Sequence, residues 1–238
     1  MGLLDRVMRA SGGFDLWRRT RHITVHMSIR GALIAARCPE VQLPEFVVEG
    51  DTREPVLEII GFTALDLRAL YRRDWTALER ADGFRLHEHH GTPEELMRQL
   101  ESATWSQLQL AYYCGGLIWN YLTTPFVLAE PDVECEELDS VNLQGQGWRR
   151  IKVLYPVRLA THAREHTLYF DRHYLLKRLD TPAVHADGTR SIHSFSDHQR
   201  FSGFLVPTIG RVLTIEASGA LVDTPTLLDV EIFEAQFK

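Results

Sequence analysis

Histidine is the residue type best suited to chemistry in this chain, with eleven copies. His162 and His166 are four residues apart. On a helix that spacing would put both rings on one face as metal ligands. Along a strand it spans about 13 Å, too far for one ion. The segment around them reads as extended or irregular chain, so no metal is assigned to it. His87 and His89 share a strand face beside Glu88 and His90 and could ligate a metal with a third group. An exposed polar edge is the plainer reading of that pair. His185, His193 and His198 occupy a polar stretch with Ser194, Ser196 and Asp197. A carboxylate holding one ring nitrogen leaves the other available as a base near neutral pH. If the protein is an enzyme, proton transfer by histidine is therefore the expected mechanism. His162 is one candidate, with Thr161 beside it and Arg164 near enough to stabilise a developing anion. His198 is the other, with Asp197 as its orienter, although adjacent strand residues face opposite ways and a direct pair would need a turn there. Satisfied structural histidines at strand ends are the commoner outcome.

Named catalytic signatures do not occur: there is no GxSxG elbow, Walker-type loop, GxGxxG after a strand, or HExxH. No cofactor is expected. A second constellation is aromatic, with Trp105, Tyr112, Tyr113, Trp119, Tyr121 and Phe126 in one short span. Helices packed against a concave sheet need such side chains merely to fill volume. The functional alternative is that some of them line a pocket, where tyrosine hydroxyls fix a ligand's orientation. Trp119, Tyr121 and Phe126 lead from the helices back into extended chain, the place for a cavity mouth. Tyr169 joins them as a candidate ligand-binding residue.

The elements that must position these residues are mostly strands. The organising stretch runs from Trp148 to Asp180. Trp148–Tyr155 alternates with period two, Thr167–Phe170 follows, and the turn at Asp171-Arg172-His173 reverses it into Leu175–Leu179. Thr20–Ile29 alternates strictly, with Ile23, Val25, Met27 and Ile29 on one face. Further strands are expected near Gly31–Ala36, Glu45–Glu49, Val56–Phe62, Val133–Leu138, Ile192–Ser196, Gly203–Pro207, Arg211–Glu216 and Leu227–Phe233. Trp75–His89 is a hairpin turning at Ala81-Asp82-Gly83. Three helices are expected. One is short and amphipathic, carrying Leu3, Leu4, Val7 and Met8 and stopped by Gly12-Gly13. Thr92, Pro93 and Glu95 give the second an N-cap, a proline at N1 and a capping box. The third starts at Thr104-Trp105-Ser106, and Gly115-Gly116 should weaken it.

At 238 residues, 45% apolar and 24% charged, the chain is long enough for a sizeable core. Net charge −6 argues against nucleic acid as a partner; the run Arg18-Arg19-Thr20-Arg21 reads as a solvated strand entrance. Cys38, Cys114 and Cys135 lack ribbon or framework spacing and are expected to be reduced thiols. The N-terminal stretch has Asp5 and Arg6 where an export signal would be apolar, and no apolar run reaches the ~20 residues of a membrane span. A cytoplasmic location is expected, in a single domain over 1–238 with a helix at 1–13 and inserted helices at 92–118.

The ending GFLVPTIGRVLTI…LLDVEIFEAQF, the stretch YYCGGLIWNYLTTPF and the stretch THAREHTLYFDRHYLLKRLD resemble the LolA/LolB-like lipoprotein-carrier superfamily and uncharacterised bacterial proteins allied to it. The resemblance covers most of the chain beyond Thr20. It implies a mainly β (α+β) fold: a large curved antiparallel sheet, or half-barrel, with inserted helices covering its concave face. It also implies a concave apolar cavity that accepts a hydrophobic guest, although known carriers of the superfamily work in the periplasm or at the outer membrane behind an export signal. Binding of a hydrophobic or amphipathic small molecule is the expected function. A cofactor-independent isomerase, cyclase or hydrolase using the same cavity is the alternative.

Overall fold

The computed structural model describes residues 2–143, 145–159, 163–184, 190–216, 218, 220–222 and 224–238, without the side chains of 182–184. Two antiparallel meanders make up most of it. The first comprises β1 (His22–Arg30), β2 (Phe46–Asp51), β3 (Leu57–Ile60), β4 (Leu67–Arg72), β5 (Trp75–Arg80) and β6 (Arg85–His90). The second comprises β7 (Glu134–Leu143), β8 (Gln146–Leu154), β9 (Glu165–Phe170), β10 (Leu176–Val184), β11 (Arg190–Phe201) and β12 (Phe204–Ile215). A two-residue strand, β13 (Leu221–Val222), flanks β12, and β14 (Leu228–Phe237) then inserts between β1 and β12. The result is one 14-stranded sheet, open at β6 and β7, and every described strand pair in it is antiparallel. It is a curved half-barrel with few helices.

That strand order dictates what the helices do. The chain leaves the first meander at one outer edge and enters the second at the opposite edge, so the connection must traverse the sheet. It does so through α4 (Pro93–Gln99) and α5 (Gln107–Thr123), the latter packing on β3, β4, β5 and β6. Reciprocal caps begin both helices. Thr92 Oγ1 accepts from Glu95 N at 3.3 Å while Glu95 accepts from Thr92 N at 2.8 Å, and Ser106 and Gln109 repeat the arrangement. α5 is buried along most of its length, and it continues unbroken through Gly115-Gly116. A Cβ at Gly115 would lie 2.3 Å from the Tyr71 ring, so the glycine lets the helix rest directly on β4.

The inner face of the sheet reads as its alternation predicts. Ile23, Val25, Met27 and Ile29 are buried, and so are Ile151 and Val153 of β8. The open edges are protected by polar side chains: β7 presents Glu134, Glu136, Glu137 and Asp139, and β6 presents Arg85, Glu88 and His90.

Several expected boundaries are corrected. Gly31–Ala36 is not a strand; α3 (Ala32–Arg37) is helical there, because alanine, leucine and arginine favour helix and a short apolar run has no decisive period. α1 (Leu3–Ala10) is the expected N-terminal helix, but a second, α2 (Phe14–Arg19), follows it, with Arg18 and Arg19 in its last turn instead of at a strand entrance. Gly203–Pro207 and Arg211–Glu216 are one strand, β12. β4 was not expected at all. No helix among the described residues is long and apolar enough to cross a membrane.

Candidate functional site

The C-terminal turns of α5 reach past the first meander to the second. Leu117, Asn120 and Tyr121, followed by Thr124, recur at helical spacing and aim one stripe at β9, β10 and β11. A cavity of about 40 Å3 remains between that stripe and the sheet. Its opposite wall is formed by Tyr155, His166, Leu176, Leu179, Thr181, His193 and Phe195. Cross-strand pairing sets Leu179 against His193, and alternation returns Phe195 to the same face.

One polar contact dominates the cavity. The Tyr121 hydroxyl and His193 Nδ1 are 2.6 Å apart. The Tyr121 ring meets Phe195 edge-on at 4.9 Å, and a Cβ at Gly210 would come within 2.8 Å of it. Glycine on β12 thus makes the seat in which this tyrosine rests. Burial pushes the His193 pKa down to about 4 and raises that of Tyr121 well above its ordinary value. Both groups are therefore uncharged at neutral pH. Deeper in, Tyr155 packs edge-on against buried His166 at 5.2 Å. Burial also raises the Tyr155 pKa, and a hydrogen bond with the Thr124 side chain opposes the rise.

The other depressions are different in kind. The groove of about 490 Å3 along β2–β5 is open and charged, with Glu49, Glu58, Arg72 and Arg85 in its walls. Arg68 and Arg85 close on the buried Glu79 carboxylate nearby and hold its pKa below the usual range. That arrangement ties neighbouring strands together on the outer face. No group of three or more His, Cys, Asp or Glu among the described residues is arranged to hold a metal ion.

Of the residues singled out from sequence, Tyr121 lines the cavity. Trp119 is fully buried, donates to the Asp51 carbonyl at 3.1 Å and belongs to the core. Phe126 stacks on Trp17 of α2 at 4.7 Å and also meets Phe204, again within the core. Tyr169 points away from its buried neighbours Leu168 and Phe170, donates to Asp180 at 3.1 Å and packs near Trp148. His162 lies outside the described residues, as does His185. Arg164 is exposed and donates to the Tyr155 carbonyl at 3.0 Å. Asp197 adopts φ 50° within β11, where the pairing with β12 skips it between Ser196–Ile209 and His198–Pro207, and its carboxylate accepts from Thr208 and Gln199 at 2.9 and 3.0 Å. His198 is half-buried, and burial followed by the Lys177 charge lowers its pKa. His193, named from sequence as one of three histidines in a polar stretch, lines the cavity opposite Tyr121.

No known protein-family profile matches the chain, and no curated protein matches its sequence. Solved structures do match its fold. A LolA superfamily protein from Nitrosomonas europaea aligns over 99% of this chain and 92% of its own, with TM-score 0.51 and 8% identity. A putative outer membrane lipoprotein-sorting protein domain from Vibrio parahaemolyticus aligns over 99% and 91%, with TM-score 0.53 and 9% identity. A DUF1329 family protein from Desulfovibrio piger aligns over 99% and 92%, with TM-score 0.53 and 11% identity. At such identities the likeness is one of fold: this chain has the LolA-like half-barrel, with its concave face spanned by α5.

Proposed function

We propose that the chain binds a hydrophobic or amphipathic small molecule on the concave face, between the end of α5 and strands β9–β11. The observation that carries this reading is the apolar cavity there, with a few hydrogen-bonding groups set among leucine and aromatic walls. The presence of the same fold in a putative lipoprotein-sorting domain supports it. As it stands, the cavity of about 40 Å3 has room for a few water molecules at most. Pockets for drug-sized ligands are roughly 300–1,000 Å3. Uptake of a guest therefore requires the cavity to widen while Tyr121 keeps its seat on Gly210. Trp119 and Phe126, assigned to the ligand from sequence, would then belong to the core behind the cavity, and Tyr169, on the other face of β9 from His166, would stand outside it.

A second reading, acid–base catalysis in the same cavity, is favoured by the 2.6 Å contact between Tyr121 and His193. The electrostatics count against it. A general acid or base works best with a pKa near the operating pH, and burial drives these two groups away from neutrality in opposite directions. Such a pair suits hydrogen bonding better than proton exchange. For His198 with Asp197, and for His162 with Arg164, the catalytic roles stay proposals within this second reading. A cytoplasmic location also stays a proposal, with which the free thiols of Cys38, Cys114 and Cys135 are compatible.

Native mass spectrometry of untagged protein purified from its own host tests the binding reading. A retained mass that organic extraction removes is the expected result. Unliganded protein that also fails to take up N-phenyl-1-naphthylamine, a neutral apolar fluorophore, would overturn it.

A further inference from the structure

Resting on the binding reading above, we propose that the guest is an uncharged lipid whose hydroxyl or ester oxygen docks at the Tyr121–His193 pair, and that the cavity rejects the matching carboxylate. The composition of the walls carries this. No Lys, Arg, Asp or Glu lines the cavity among the described residues, so no side chain there neutralises a buried anion. The polar groups present are hydroxyl, amide and imidazole: those of Tyr121, Tyr155, Thr124, Thr181, Asn120, His166 and His193. Each can share a hydrogen bond with a neutral oxygen. The hydroxyls and the amide carry no charge, the described walls hold no Lys or Arg, and burial keeps the His193 ring deprotonated well below pH 7.

The pair itself is built for one polar contact. Tyr121 is fixed over Gly210 and edge-on to Phe195, so its hydroxyl position is set by packing before any ligand arrives. If its proton goes to His193 Nδ1, the phenolic oxygen keeps a lone pair for a ligand hydroxyl; in the other tautomer the hydroxyl proton is available to a ligand oxygen. An alcohol is served by either state, and an ester oxygen by the second. Around the pair, Leu117, Leu176, Leu179 and Phe195 offer only apolar surface. The existing void has room for a hydroxyl or ester group, and the hydrocarbon tail would occupy space opened beyond it, away from the pair.

Matched competitors test the proposal on the unaltered chain. Delipidated protein is loaded with N-phenyl-1-naphthylamine and titrated at about pH 8 with 1-dodecanol or dodecanoate, both below their aggregation thresholds. Burial of an unpaired carboxylate should leave dodecanoate about 100-fold weaker than the alcohol. The gap should narrow as pH falls through the carboxyl's own titration. Tyr121→Phe, which keeps the ring on Gly210, should weaken dodecanol roughly 5- to 10-fold by removing one hydrogen bond. Equal displacement by the two competitors, or dodecanol binding unchanged in Tyr121→Phe, would overturn the proposal and leave hydrophobic binding standing. A protein that accepts neither the fluorophore nor either competitor would overturn the binding reading itself.

Discussion

At the scale of single residues, His193 shows why the site was only partly legible. In the sequence, His193 and Phe195 alternate with Ile192 and Ser194, so each face of β11 carries one large apolar residue. Ile192 gathers with Leu213 and Ile215 in a separate buried cluster, leaving His193 on the cavity face. Alternation shows that two faces exist and does not say which is inner when both are partly covered. Tyr121 and Trp119 make the same point for helices, since positions two apart lead one to the cavity and the other to the Asp51 carbonyl. The His193 environment also yields a pH prediction. Its folded pKa of about 4 lies below the unfolded value near 6.5, so the unfolded chain binds the extra proton first as pH falls. The associated stability is fully present above about pH 6.5 and is lost as pH drops towards 4. The loss should approach about 3 kcal/mol. Urea unfolding at a series of pH values should show it, with a flatter profile in His193→Gln; parallel profiles would place the titration elsewhere.

At the scale of elements, the start of α4 was the most legible feature. A hydroxyl at the N-cap and a glutamate or glutamine at N3 announce themselves in four residues, and both capping boxes are present. Strand β1 was equally plain. Contexts set by distant chain were not. The six residues of α3 are apolar on nearly every side, and β4, with arginine and leucine interleaved, has no clean alternation. Gly115-Gly116 looked like a weak point because glycine costs about 1 kcal/mol in a helix. What that estimate omits is Tyr71, whose ring occupies the space a side chain would need. Gly115→Ala should consequently destabilise the fold by about 1–3 kcal/mol, despite alanine's higher helix propensity. Combining it with Tyr71→Val should recover part of that loss in chemical denaturation. A more stable single variant would show that α5 can shift off β4 at little cost.

At the scale of the whole molecule, the curved sheet with covering helices was foreseen, whereas the joining of its halves was not. Strand patterns carry no information about which distant strand is the neighbour. β14 fills that role, with Val230 opposite Ile29 of β1 and also opposite Gly210 of β12. Val230→Pro removes a ladder donor from a central strand, so it should weaken both meanders together. Hydrogen exchange should then report loss of protection in β2–β5 and β8–β11 in a single step. If one meander kept its protection, the chain would contain two independent units and the single-domain expectation would fail.

The position of β14 has a consequence for how the chain is made. Ile23 pairs with Phe237, nearly the full length of the chain away. While the ribosome works through the intervening residues, the first meander must wait with one side of β1 unpaired, and that side is flanked by Val25, Met27 and Ile29. An open apolar strand edge invites pairing with another nascent copy. The Gly31 turn and α3 follow β1 at once, and in the finished protein Ala32 and Leu33 donate to the carbonyls of Thr226 and Leu227, just ahead of β14. Those early-made amides form a docking point that would receive β14 at its leading end and let it zip from there, so that closure of the sheet waits until β14 has been made.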